Sequence, residues 1–199
     1  KAHAEKISRV MQEAGFDTVA LEMDLSSRNS IQDMITKAQT YGNIAMLINA
    51  AGVSPSQAPI DTILHVDLYG TAVLLEEIGK VIKPGGVGVT ISSQSGYRMP
   101  ALTAEEDELL ACTPTEQLLT LDILQPQNIR DTLHAYQMAK RCNVKRVMAE
   151  AVKWGEKGAR INSISPGIVV TPLAMDEFRG PRGDFYKNMF QNCPARRPG

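Results

Sequence analysis

The segment Ile44-Ala-Met-Leu-Ile-Asn49 constrains the fold more than any other part of the sequence. It is a continuous apolar run of strand length, which is typical of a strand that is buried on both faces of a parallel sheet. Similar short apolar runs cover Thr18–Asp24, Val87–Ile91 and Ile161–Ser165. Segments with helical spacing lie between these runs, and this alternation predicts an α/β fold with a doubly wound parallel sheet.

The predicted helices have recognisable ends. The first ends before Gly15, which suits a left-handed cap, and the second can begin at Ser27 or Ser30. A third helix is predicted from about Asp61 to Ile82, and a fourth from Tyr136 to Trp154. The stretch of about 97–130 reads as a helical insertion, because Thr103–Glu106 and Thr113–Glu116 both fit the capping-box pattern.

Composition excludes several classes of function. The 199 residues suit a single domain, and 21 Lys and Arg against 22 Asp and Glu give a net charge of −1. No basic excess is present for binding nucleic acid or an anionic membrane. The three cysteines are widely spaced and form no metal motif, and no apolar run has transmembrane length. We therefore expect a cytoplasmic protein without a metal site.

Tyr136 and Lys140 form the pair with the clearest chemical meaning. Four residues apart on a helix, they project from the same face and can share one site. A free tyrosine has a pKa of about 10, and a nearby cation lowers that pKa by favouring the phenolate. The pair alone is weak evidence, because the same spacing often occurs on a solvated helix face.

The ends of the predicted strands supply the context that this pair needs. In open α/β sheets, ligands bind beyond the carboxyl ends of the strands. Asp24 ends the first predicted strand, Asn49 the second, the hydroxyl-rich Ser92–Gly96 follows the third, and Pro166–Thr171 follows the fourth. We expect all four ends to line one rim.

Together these residues resemble the classical short-chain dehydrogenase/reductases, and the resemblance covers essentially the whole chain. The matching segments are Asp24-Leu25, Asn49-Ala50-Ala51-Gly52, Ser93-x-x-Gly96, Tyr136-x-x-x-Lys140 and Pro166-Gly167 with Val169 and Thr171. Each segment alone has an ordinary structural explanation as a cap, a turn or a loop. Five such segments in the family's order favour the family.

The resemblance implies a Rossmann-type fold and NAD or NADP as the cofactor. It implies that Tyr136 is the general acid and base, that Ser93 hydrogen-bonds the substrate oxygen, and that Lys140 lowers the pKa of Tyr136. It further implies that Lys140 contacts the nicotinamide ribose. The implied cofactor contacts are Asp24, Leu25, Asn49, Ala50, Ala51, Gly52, Tyr136, Lys140, Pro166, Gly167, Val169 and Thr171.

The sequence departs from the family pattern in three places. The Gly-rich phosphate-binding turn would precede Lys1, and the end at Arg197–Gly199 resembles a point where relatives continue, so we expect a partial domain that binds cofactor poorly. Asp67 stands where the family usually has an asparagine in the proton relay, and its charge can oppose the effect of Lys140. The stretch between Ser93 and Tyr136 is unusually long and is either a lid or a surface excursion.

These features predict an oxidoreductase that interconverts a carbonyl and a secondary alcohol on a small hydrophobic substrate. The insertion resembles that of the 3α-hydroxysteroid dehydrogenase/carbonyl reductase relatives, and the aromatics between Met175 and Phe190 resemble a substrate-binding loop. Two alternatives remain: an NAD(P)-binding sensor or scaffold whose relay Asp67 has impaired, and a nucleotide-sugar epimerase or dehydratase of the extended family. By analogy alone, we expect a homo-oligomer, a tetramer or a dimer.

Overall fold

The computed structural model describes residues 2–171, 175, 178–180 and 183–194. Arg197–Gly199, where the sequence suggested a continuation, lies outside the described residues. The helices and strands are α1 (Ala2–Glu13), α2 (Arg28–Gln39), β1 (Met46–Asn49), α3 (Ile60–Ile63), a π-helix (Leu64–Gly70), α4 (Thr71–Val81), β2 (Val87–Ile91), α5 (Ala104–Cys112), α6 (Thr132–Glu156), β3 (Arg160–Ile164) and α7 (Gly183–Gln191). Short 3-10 helices cover Gln94–Tyr97, Thr115–Thr120 and Asp122–Leu124.

The three strands form a parallel sheet in the order β1-β2-β3. Met46 is paired with Val87, and Val87 with Arg160, so the carboxyl ends of all three strands meet at one edge. Strand β2 has the predicted bounds, whereas β1 begins at Met46 rather than Ile44. The prediction of a strand at Thr18–Asp24 is wrong. This segment has no ladder partner among the described residues, and a strand needs one to satisfy its backbone groups.

One face of the sheet carries the core. Helices α2, α4 and α6 pack on it, and Ile31, Leu75, Trp154 and Ile161 belong to one buried cluster there. On the opposite face Ile48 remains 64% exposed. The prediction that Ile44–Asn49 is buried on both faces therefore fails within the described residues, since no described element covers this side.

The predicted helix from Asp61 to Ile82 is continuous, but its hydrogen-bond pattern changes along its length. It starts as α3, widens into the π-helix Leu64–Gly70 and continues as α4. A π-helix inserts an extra residue into the turn, and such bulges are frequent at functional sites. Asp67 lies in the middle of this π-helix.

The insertion folds into α5 and short 3-10 helices that pack against α6. The capping box at Thr103 is present: its hydroxyl accepts from Glu106 N at 3.1 Å, and the Glu106 carboxylate accepts from Thr103 N at 2.7 Å. The second predicted box is wrong, because the next helix starts at Thr115 behind Pro114 without a side-chain cap. Glu116 instead accepts hydrogen bonds from Arg28 and Tyr69.

No helix in the described part of the chain is both long and apolar enough to cross a membrane. Among the same residues, no group of three His, Cys, Asp or Glu side chains could hold a metal ion.

Burial raises the pKa of the Cys142 thiol to about 12, so this thiol is not a nucleophile at neutral pH.

Candidate active site

A cavity of about 410 Å³ opens at the carboxyl ends of the three strands. The loops that follow β1, β2 and β3 form its walls, together with the start of α6 and part of α7. This location agrees with the rule that open α/β sheets bind ligands beyond the carboxyl ends of their strands. The lining residues are Ala50, Ser54, Pro55, Ile91, Ser92, Ser93, Gln94, Ser95, Tyr136, Pro166, Gly167, Ile168, Val169, Thr171, Phe178, Tyr186 and Met189.

Ser93 is held in a short turn that rests directly on α6. Its hydroxyl oxygen accepts a hydrogen bond from Ser95 N at 3.1 Å and caps the helix Gln94–Tyr97. A Cβ atom at Gly96 would lie 2.7 Å from Arg141 N, so a glycine is needed for this close approach. Because the accepting oxygen keeps its own hydrogen, Ser93 can still donate into the cavity.

Tyr136 and Lys140 share one side of α6, as the spacing predicts. Asp131 caps this helix by accepting from His134 N at 2.8 Å, which fixes where the first turn begins. The Lys140 Nζ atom lies 5.2 Å from the centroid of the Tyr136 ring. Lys140 is buried, whereas Tyr136 is partly exposed and lines the cavity. The ammonium group therefore stands behind the phenol, away from the cavity mouth.

Asp67 is the second charged group of the site and is fully buried. Its Oδ1 atom accepts from Val53 N at 2.8 Å, and its Oδ2 atom lies 3.6 Å from Lys140 Nζ. Oδ2 has no hydrogen-bond partner. Burial raises the pKa of Asp67, and the charge of Lys140 together with the Val53 N–H offsets part of that rise. The expected interaction between Asp67 and Lys140 is thus present in the structure.

Two further polar residues, Asn143 and Ser92, support this pair. The Asn143 side-chain amide donates to the backbone carbonyls of Asp67 at 2.9 Å and Ala139 at 3.1 Å. The Ser92 hydroxyl donates to Lys140 O at 2.7 Å. These bonds tie the π-helix and the end of β2 to α6. The available signal for Asn143 was its position three residues after Lys140, which places it near the same face of the helix.

Of the predicted segment Asn49–Gly52 at the end of β1, only Ala50 lines the cavity. Asn49 is buried and donates from Nδ2 to Thr71 Oγ1 at 3.4 Å. The Asn49 Oδ1 atom is buried without a hydrogen-bond partner. Ala51 and Gly52 are exposed outside the lining, and a Cβ at Gly52 would lie 3.0 Å from Asp67 Oδ1.

Asp24 and Leu25 do not line this cavity. The Asp24 carboxylate accepts from Ser26 N at 2.9 Å and from Ser26 Oγ at 2.6 Å, and these bonds lower its pKa. Leu25 is buried in the core cluster. The first of the four segments therefore lies outside this cavity, and the Thr18–Asp24 run does not pair with the sheet among the described residues.

The loop after β3 forms the opposite wall of the cavity. Pro166, Gly167, Val169 and Thr171 line it, as the predicted cofactor contacts require. Gln94 N donates to Pro166 O at 2.9 Å, which links the loops after β2 and β3. Gln94 belongs to the segment Ser92–Gly96 that was expected at the rim, although no role was predicted for it.

The predicted substrate-binding loop contributes apolar side chains to the cavity. Phe178, Tyr186 and Met189 line it, and the rings of Phe178 and Tyr186 meet edge to face with centroids 6.4 Å apart. Residues 172–174, 176–177 and 181–182 of this loop lie outside the described part of the chain.

Comparison with known proteins identifies relatives along the whole sequence. The family described as enoyl-(acyl carrier protein) reductase matches residues 1–105 and 102–199. The short-chain dehydrogenase/reductase bsc3 of Alternaria brassicicola is 33% identical over 98% of this chain and 71% of its own length. The 3-alpha-hydroxysteroid dehydrogenase/carbonyl reductase of Comamonas testosteroni is 26% identical over 87% of this chain and 71% of its own length.

A solved structure has the same fold. The 3-alpha-hydroxysteroid dehydrogenase from Pseudomonas sp. B-0831, complexed with NADH, superimposes with a TM-score of 0.69 at 22% identity. The match covers 91% of this chain and 74% of that one. The parallel sheet flanked by helices is therefore a Rossmann-type fold. With the family match over the whole sequence, this chain belongs to the classical short-chain dehydrogenase/reductases.

Proposed function

We propose that the protein is an NAD(P)-dependent oxidoreductase that interconverts a carbonyl and a secondary alcohol. The observation that carries this proposal is the arrangement at the cavity. Tyr136 and Ser93 both line it, and the Lys140 ammonium stands 5.2 Å from the Tyr136 ring. A phenol with a cation behind it and a hydroxyl beside it is suited to proton transfer at a substrate oxygen.

Each side chain has a distinct task in this proposal. The Tyr136 hydroxyl donates a proton to the substrate oxygen during reduction and accepts one during oxidation. The Ser93 hydroxyl donates a hydrogen bond to the same oxygen and stabilises the negative charge that develops there. Lys140 favours the phenolate by its charge, and Asp67 holds the ammonium group in place at 3.6 Å.

The cavity fits the nicotinamide end of NAD or NADP. Ala50 and Gly167 are small and leave the backbone accessible to a flat ring, while Pro166, Val169 and Thr171 form the wall beside them. The buried Asn49 Oδ1 atom, which has no hydrogen-bond partner, belongs to the residue before Ala50 but does not line the cavity. When bound, the nicotinamide supplies or accepts the hydride. Asp24, outside the cavity, remains a proposed contact of the adenine end.

The substrate side of the cavity favours an apolar molecule. Phe178, Tyr186, Met189 and Ile168 line it, and the hydroxyls and amide of the Ser93–Ser95 turn are its polar part. A hydrophobic ketone or alcohol of small to medium size fits this distribution. The relative from Comamonas testosteroni, named a 3-alpha-hydroxysteroid dehydrogenase/carbonyl reductase, supports including 3-ketosteroids among the candidates.

A second candidate function follows from Asp67. Because its carboxylate faces Lys140, it can weaken the support that Lys140 gives to the Tyr136 phenolate. A protein impaired in this way would bind NAD(P) and act as a sensor without turnover. Ser93, Tyr136 and Lys140 are all present at the site, which favours the enzyme.

The test combines binding and turnover. We expect NADH or NADPH to bind to the full-length protein, as measured by fluorescence titration, and a panel of ketones and 3-ketosteroids to reveal its turnover. Tyr136→Phe should lower kcat by about 10²- to 10⁴-fold, because the proton donor is lost. Cofactor affinity should change little, because the ring remains.

Tyr97→Phe is the matched control, since Tyr97 is an exposed tyrosine whose ring faces Arg141 outside the cavity. It should keep the activity of the parent protein. Cofactor binding without turnover on any carbonyl would contradict the enzyme and favour the sensor. Undiminished turnover in Tyr136→Phe would remove Tyr136 from its proposed role.

A further inference from the structure

The buried pair of Asp67 and Lys140 lies next to Tyr136, the proposed proton donor and acceptor. Lys140 alone would present a full positive charge behind Tyr136. The Asp67 Oδ2 atom, however, lies 3.6 Å from Lys140 Nζ. The negative charge of Asp67 opposes the field of the ammonium and therefore offsets part of its effect at Tyr136.

The surroundings of Asp67 keep its charge in this position. Its other oxygen accepts the Val53 N–H at 2.8 Å, and Asn143 holds the backbone carbonyl of Asp67 against α6. Lys140 is the charged group that faces it from α6, while the contacts with Val53 and Asn143 are neutral. Arg141, the next cation on α6, points instead to Asp107 of the insertion at 2.8 Å.

We propose that Asp67 is a positioning residue that neutralises Lys140 and so keeps Tyr136 protonated to higher pH. This proposal rests on the proposed role of Tyr136 as the proton donor and acceptor of the reaction. The site then donates a proton to a carbonyl oxygen up to a higher pH, and accepts one from an alcohol at a higher pH, than it would without Asp67.

The sign of the effect is determined by charge. A phenolate next to a lone ammonium is stabilised more than a phenolate next to an ammonium that is paired with a carboxylate. Replacing Asp67 with the neutral Asn leaves the ammonium unbalanced, so the phenolate should form at lower pH. The expected change is about one pH unit, the size that a single nearby charge produces.

The direct test is the titration of Tyr136 itself, followed by the near-ultraviolet absorbance of tyrosinate. The chain has five tyrosines, so the difference between the parent protein and Tyr136→Phe isolates the contribution of Tyr136. The same difference is measured in the Asp67→Asn background. We expect the Tyr136 midpoint to be about one pH unit lower in Asp67→Asn.

Asp107→Asn is the matched control, because it removes a carboxylate that pairs with cations of the same helix, Arg141 and Lys145. It should leave the Tyr136 midpoint unchanged. An unchanged or raised midpoint in Asp67→Asn overturns the proposal, as does an equal shift in Asp107→Asn. If Asp67→Asn unfolds, Asp67→Ser provides a smaller neutral side chain that should shift the midpoint in the same direction.

Turnover gives an independent readout. If the protein is active, the pH at which alcohol oxidation reaches half of its maximum rate should fall by the same amount in Asp67→Asn. Absence of turnover in the parent protein would contradict the proposed function only. The absorbance titration needs neither substrate nor cofactor, so it still decides whether Asp67 controls Tyr136.

Discussion

The molecule contains two groups of ion pairs that differ in burial and in the number of charged partners. In the site, one carboxylate and one ammonium, Asp67 and Lys140, are both buried and face each other at 3.6 Å. Beside the insertion, Arg28 bonds to three carboxylates on a partly exposed surface. It reaches Glu116 at 2.6 Å and Glu76 at 3.2 Å, and it also contacts Glu77.

The difference in burial indicates that the partly exposed network has a structural role and the buried pair a chemical one. The network around Arg28 shares its charges among α2, α4 and the insertion, and water still screens them. It fastens the insertion to the body of the domain through Glu116. The buried pair has no such redundancy, because Lys140 is the cation that lowers the pKa of Asp67 against the effect of burial. A buried pair contributes little net stability, so its value lies in the chemistry it permits.

The largest expected effect on stability comes from breaking the buried pair. Lys140→Met should lower the free energy of unfolding by about 3 kcal/mol at neutral pH, because Asp67 is left as an unpaired buried charge. The double variant Lys140→Met with Asp67→Asn should recover much of this loss. Urea denaturation of both variants measures the two values.

The pH dependence of Lys140→Met gives a second check. Without the cation, the folded-state pKa of Asp67 rises further above its unfolded value of 3.8. The folded protein then binds more protons than the unfolded chain, so the loss of stability should shrink as the pH falls toward that unfolded value. Lys187→Met, which breaks the exposed pair with Asp184, serves as the control and should cost less than about 1 kcal/mol. A double variant as unstable as the single one would contradict this account.

A smaller effect is expected from breaking the network. Arg28→Met should lower the free energy of unfolding by about 1 to 2 kcal/mol at low ionic strength, and the loss should shrink in high salt. Hydrogen exchange should accelerate in Thr115–Thr120, because Glu116 loses its cation. A loss that is independent of salt, or exchange that is unchanged in this segment, would show that Arg28 does not fasten the insertion electrostatically.

The smallest expected effect is the loss, at low pH, of the stability that Glu76 contributes to the network around Arg28. Although burial alone would raise the pKa of Glu76, hydrogen bonds from Thr115, Arg28 and Lys80 lower it to about 2. A folded-state pKa below the unfolded value of 4.5 means that the carboxylate stabilises the protein above pH 4.5 and loses that contribution as the pH falls to about 2.

Glu76→Gln should therefore cost less than about 1 kcal/mol at neutral pH and nearly nothing at the acid end of that window. Denaturant titrations at several pH values measure the difference between the variant and the parent protein. A cost that does not diminish as the pH falls would mean that the contribution of Glu76 is not due to its charge.

Much of the fold was predictable because local patterns and tertiary structure agree. The bounds of β2, the cap at Thr103 and the helix that carries Tyr136 and Lys140 all follow from short-range signals. The run Thr18–Asp24 has the same kind of signal but forms no strand, since pairing depends on a neighbour rather than on the run itself. The second capping box fails for a related reason, because Glu116 is engaged by Arg28 and Tyr69.

In the candidate site, too, some residues follow from local sequence motifs and others depend on tertiary contacts. Ser93, Tyr136, Pro166 and Thr171 were predicted from motifs, and the structure brings them to one cavity. Leu25 was predicted there as well, but its apolar side chain is buried in the core. The contact of Gln94 with Pro166 and the role of Asn143 were not predicted, because these contacts join elements far apart in the chain.

The sequence by itself determined the family, the parallel α/β class and the residues proposed to transfer a proton, because these depend on residue type and spacing. Only the tertiary structure decided that Asp67 Oδ2 would lie 3.6 Å from Lys140 Nζ without a hydrogen-bond partner. It also decided that the Thr18–Asp24 run would not pair with the described sheet. Burial and distance set the strength of a charge interaction, and both arise from the packing of segments that are remote in sequence.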